Sequence, residues 1–118
     1  METAYRRKAN LIARHVATAS VNAVVLVTRP CRFNAINHTA VAGRWIKIYD
    51  LARAPEIYDT PVMVILSFNP SVGTMPAPVK GIWLRNGLAI RITANAAPND
   101  DTAVSAGDVD ARCYYTLD

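Results

Sequence analysis

Histidine, cysteine and aspartate are the residue types here that could do chemistry. His15 and His38 are the only histidines in the 118 residues. A histidine-based site would have to recruit one from an N-terminal arm and the other from a strand end, so ordinary polar roles are the expectation. Cys31 and Cys113 show no CxxC or zinc spacing. Each sits in an apolar, strand-like context, where free cysteine behaves as a small hydrophobe, so buried free thiols are expected, with a disulfide as the alternative. That usage fits a protein made in a reducing cytosol. Asp100, Asp101, Asp108 and Asp110 could offer the oxygen ligands that calcium takes, but their spacing matches no calcium loop. The plainer reading is that Asn99, Asp100, Asp101 and Asp108 form turns by bonding nearby backbone N–H groups. No GxSxG, GxxxxGK or HExxH pattern is present. The sequence therefore assigns no catalytic, metal or cofactor residue.

One stretch could bind rather than react. Trp45, Lys47 and Tyr49 alternate along a single strand face, and Arg91 could join them. Such a stripe can stack bases or sugars. It can also be a protein interface, where Trp, Tyr and Arg are enriched. The plainest reading puts one or both aromatics in the core.

The elements that must carry these residues are strands. At 52% apolar and 19% charged, the chain is globular rather than disordered. Its apolar runs fall short of the roughly 20 residues of a membrane helix. Strand character begins near Thr18, with Val21, Ala23, Val25 and Val27 on one face, and Pro30 ends that strand. In the next, Cys31, Phe33, Ala35 and Asn37 share a face opposite Arg32, Asn34, Ile36 and His38. Ala42-Gly43 turns the chain into 44–50, with Ile46 and Ile48 inward. A loop over 51–60 carries Pro55 and ends before Pro61. Val62, Val64, Leu66 and Phe68 are then expected to face the core, with Met63, Ile65 and Ser67 opposite. Residues 69–78 hold three prolines and read as loop. Asn86-Gly87 suits a two-residue hairpin turn, pairing Leu84 with Ala89 and Trp83 with Ile90. Leu88, Ile90 and Ile92 are assigned to the core, and the register of the partner strand stays open. Residues 94–108 form a long loop, of a length that is often functional. In the last strand, Val109, Ala111, Cys113 and Tyr115 face one way. The pattern predicts an all-β fold: an antiparallel two-sheet β-sandwich, jelly-roll-like, of about seven to eight strands. The expected division is a short basic N-terminal arm over 1–17 and a sandwich domain over 18–118.

Net charge is +4, and four of the 13 basic residues (Arg6, Arg7, Lys8 and Arg14) fall in the first fourteen positions. A short basic arm can meet acidic protein, nucleic acid or lipid headgroups, or stay a solvated tail.

Two segments, RWIKIYDLARAPEIYDTPVMVILSF and GIWLRNGLAIRITANAAPNDDTAVSAGDV, resemble a group of small virion structural proteins of tailed bacteriophages. The matching positions are Lys47, Tyr49, Ala54, Pro55, Thr60 and Pro61, then Gly87 to Thr93. Asp101, Thr102, Ala103, Val104, Gly107, Asp108 and Val109 complete the set. The resemblance is closest over 44–68 and 81–110. It departs at 69–78, and the arm 1–14 has no counterpart. It implies a non-enzymatic capsid decoration or cement protein, carried in many copies on the virion and made in the host cytoplasm. The implied partner is the major capsid protein or another virion protein, with a homo-oligomer or multi-copy lattice; no membrane partner is implied, and nucleic acid is not expected. The contact residues expected on this reading are Arg6, Arg7, Lys8, Leu11, Ile12, Arg14, Trp45 and Tyr49. Alternatives are a head–tail or tail accessory protein, or a carbohydrate-binding module that exposes Trp45 and Tyr49 as a flat platform.

Overall fold

A computed structural model describes residues 12–17, 23–68 and 75–117. They form eight strands: β1 (Ile12–Ala17), β2 (Ala23–Val27), β3 (Cys31–Ala40), β4 (Arg44–Tyr49), β5 (Met63–Ser67), β6 (Met75–Leu84), β7 (Leu88–Thr93) and β8 (Val109–Thr116). Two four-stranded antiparallel sheets result, in the orders β1-β8-β3-β6 and β2-β7-β4-β5. The pairs 1–8, 2–7, 3–6 and 4–5 are all neighbours. The chain thus behaves as one long hairpin, with its tip between β4 and β5, wrapped into a sandwich. This is a jelly roll, and the all-β two-sheet expectation holds.

Alternation places the core between the sheets. Ile46 and Ile48 of β4, Leu88, Ile90 and Ile92 of β7, and Val109, Ala111, Cys113 and Tyr115 of β8 are buried there, as their period-two spacing predicts. Cys31 and Cys113 are buried and form no disulfide. Strand β7 is buried along its whole length, on both faces.

Five details differ from the sequence reading, each for a local reason. Ile12–Ala17 is not arm but strand β1, bonded along β8 from Ile12 opposite Tyr115 to Ala17 opposite Asp110. In β3 the register shifts between Phe33 and Ala35 against both neighbours. This bulge moves the alternation by one, so Cys31 and Phe33 are followed inward by Ile36, His38 and Ala40 rather than by Ala35 and Asn37. Residues 75–78 belong to β6 despite Pro76 and Pro78; β6 is an edge strand, where a missing N–H does least harm.

Asn86-Gly87 joins no hairpin, because β6 and β7 lie in different sheets. Gly87 has no positive φ. It is needed for space: a Cβ there would sit 2.3 Å from the Val27 carbonyl oxygen and 2.7 Å from that of Leu51. The turn is held by Asp50, whose carboxylate accepts from the backbone N–H groups of Arg85, Asn86 and Gly87.

The fifth difference is in β5. Val62, Val64, Leu66 and Phe68 point outward, and Met63, Ile65 and Ser67 point in. Both rows of this strand are apolar, so alternation separates them without saying which is inside.

Candidate interaction surfaces

The aromatic–basic stripe forms as a row on the outer face of the second sheet. Lys47 stands opposite Arg91 on one side and Val64 on the other; Trp45 stands between Thr93 and Leu66; Tyr49 stands opposite Ala89. Arg91 therefore joins the stripe. The row is not open, however. Lys47 and Tyr49 are fully buried, Arg91 and Thr93 nearly so, and Trp45 is half-buried. The loop after β7 folds back over them. Lys47 Nζ donates to the Ala97 carbonyl at 2.6 Å. Arg91 donates to the carbonyls of Pro98 and Asp100 and to the Asp101 carboxylate at 3.0 Å.

Two adjacent buried cations are thus answered mainly by loop carbonyls. Burial, and then the neighbouring Arg91 charge, hold the Lys47 pKa below its ordinary value. The Tyr49 hydroxyl lies in the field of Arg91 but completes no hydrogen bond. A lysine with a lowered pKa has the makings of a nucleophile, but here it is sealed from solvent and spends its charge pinning the loop. Tyr49, fully buried, offers no platform for a sugar ring.

Within the same loop, Asp100 acts as a staple. Its carboxylate accepts from the backbone and side chain of Asn95 and from those of Thr102. Burial opposes the ionised form, but these bonds prevail and hold its pKa down at about 2. Asp108 accepts from the Ser105 N–H and from Arg44, with which it forms an ion pair at 3.0 Å. Asp100 and Asp108 are turn formers, Asp101 instead pairs with Arg91, Asp110 lies in β8, and no metal-ligating cluster of three occurs among the described residues.

The histidines do not meet in one site. His15 is opposite Arg112 in β1. His38, on β3, reaches across the core to Ser67 on β5, with Nδ1 and Oγ 2.9 Å apart and both residues buried. Burial lowers the His38 pKa, so the neutral ring is favoured. The bond links the two sheets. The sequence reading missed it, because it placed both residues on outward faces.

What remains open to solvent is different in character. The outer row of β5 exposes Val62 (50%), Val64 (38%), Leu66 (42%) and Phe68 (42%). These four run down an edge strand beside half-buried Trp45. At the end where β1 begins, Arg29, Arg32 and Arg85 are exposed and make no ion pair among the described residues. Arg32 lies over the exposed Trp83 ring, 5.5 Å from its centroid. Of the expected contact residues, Ile12 and Arg14 fall in β1, opposite Tyr115 and Cys113. Arg6, Arg7, Lys8 and Leu11 lie outside the described residues.

Comparison with protein-family models, with curated proteins and with solved structures finds no match.

Proposed function

We propose that this chain is a non-enzymatic structural protein of a tailed-phage virion: a decoration or cement protein that binds the major capsid protein lattice and stabilises the head. The observation that carries the reading is the uncovered apolar row on β5. Contiguous apolar side chains on an otherwise well-packed surface mark a place that a neighbouring chain covers, which in a many-copy lattice includes a second copy of this one. The resemblance over 44–68 and 81–110 supplies the class of assembly. The exposed arginines at the β1 end, with the basic residues that precede β1 in sequence, suit an acidic shell surface.

The physical task on this reading is to add buried area across capsomer junctions and so oppose the pressure of packaged DNA. Many weak contacts summed over a lattice do this without any single tight site. A head–tail or tail accessory protein would use the same surfaces, and antibody labelling of intact virions tells the positions apart. The deciding measurement is co-sedimentation of the purified protein with emptied shells of the virion that carries it. Binding at low salt that weakens as salt is raised is expected. No co-sedimentation at low salt would sink the proposal.

A further inference from the structure

A jelly roll leaves four edge strands, and each bare edge invites pairing unless it is guarded. Three are guarded here. Strand β1 carries Arg14 and His15. Strand β2 is irregular between Val25 and Val27. Strand β6 carries Pro76 and Pro78. Strand β5, Met-Val-Ile-Leu-Ser, has none of these devices. Between Asp59 and Lys80 the sequence holds no charged side chain at all. This one edge is regular, free of proline, uncharged, and lined on its outer face by Val62, Val64, Leu66 and Phe68.

We infer that β5 is a self-association edge, pairing antiparallel with β5 of a second copy of this chain about a twofold axis. The argument for a second copy is one of charge and symmetry. Two chains of net charge +4 repel, so contact between them is least opposed where no charge lies, and that is the 60–79 side. An antiparallel strand pair about a twofold is self-complementary, so each copy's edge donors, which no described strand pairs, meet the other's acceptors. The two apolar rows then become cross-strand neighbours on one face of a continuous sheet. A partner of opposite charge would find nothing along this edge to recognise.

The area sets the strength. Four partly exposed side chains and a short edge bury on the order of 400 Å² per copy, about half of what a standard interface buries on each side. The pairing is therefore weak, with a dissociation constant on the order of 100 µM, and it gains its effect when copies are held side by side. This deepens the multi-copy virion reading and rests on it for its purpose, though not for its chemistry.

Sedimentation velocity of the full chain, from about 5 to about 500 µM, tests it. The expected result is a sedimentation coefficient that rises from monomer toward dimer. Leu66→Lys and Val62→Lys each weaken association at least tenfold, while Thr28→Lys, on the exposed turn after β2 at the opposite edge of the sheet, leaves it unchanged. Near-UV circular dichroism checks that each variant is folded, and Val62→Lys, just before the strand, serves if Leu66→Lys is not. A wild-type chain that stays monomeric across the range overturns the inference, as does association that both β5 variants leave intact. A monomeric chain that still co-sediments with shells defeats the pairing alone. A chain that dimerises through β5 but ignores shells defeats the virion reading alone.

Discussion

Replacing Gly87 by alanine tests how closely the turn between β6 and β7 is packed. The added Cβ would lie 2.3 Å from the Val27 oxygen, 2.7 Å from the Leu51 oxygen and 3.2 Å from the Ala52 Cα. All three neighbours are backbone, so no flexible side chain can swing aside. Relief requires the segments after β2 and after β4 to retreat by most of an ångström, which also stretches the bonds from Asp50 to the turn. Overpacking of this kind costs about 3 kcal/mol or more, offset by about half a kcal/mol from a stiffer unfolded chain. For a domain of this size that lowers Tm by roughly 10 °C. Gly107 is the internal control. Its φ is +82° and nothing lies within 4 Å of its would-be Cβ, so Gly107→Ala pays only the left-handed backbone term, about 1 kcal/mol. Thermal unfolding followed by circular dichroism measures both. A Gly87→Ala protein that melts within about 4 °C of wild type, or above Gly107→Ala, refutes the close approach.

Three further outcomes follow from the buried and bonded groups. His38 is held below its usual pKa of 6.5, so the unfolded chain takes up its proton first; stability is full above 6.5 and is lost as pH falls from there toward the folded pKa. Urea midpoints should decline over that window in wild type and less in His38→Gln, and equal slopes would remove His38 from the account. Burial, and then the Asp50 charge, push the Cys31 thiol up to about 11. Neither Cys31 nor Cys113 should react with a thiol–disulfide reagent until denaturant is added, and rapid native labelling would contradict their burial. The Asp100 carboxyl should titrate near 2 by NMR, and Asp100→Ala should open 95–102 to limited proteolysis while the core stays folded; unchanged cleavage would mean that the staple is dispensable.

The legible parts of the fold were those where one strand face is clearly more apolar than the other. Strands β4 and β8 are of that kind, and Leu88, Ile90 and Ile92 were equally readable. Strand β3 was readable only up to Asn34, because a bulge has no distinctive residue type. Strand β5 was misread because Val62, Val64 and Leu66 compete with Met63 and Ile65 on nearly equal terms, and the polar Ser67 ends the inward row, where His38 partners it. Asn86-Gly87 carries a strong local hairpin signal, yet long-range packing used its glycine for clearance instead. The pairing of Lys47 with Arg91 could be anticipated from alternation. Their cover could not, since it depends on where the fifteen-residue loop 94–108 folds back, which local sequence does not encode.

The loop over Lys47 and Arg91 also gives the molecule two clocks. Strand β7 is flanked by β2 and β4, packed on the core from within, and roofed from without. Its amide hydrogens can reach solvent only when the whole sandwich comes apart, so their exchange with deuterium reports global unfolding. Strands β5 and β6 lie at the open rim and can trade their protons through local fraying. A deuterium experiment on an assembled particle would therefore register a newly covered rim as a slowing at β5, against a β7 rate that serves as the fixed reference.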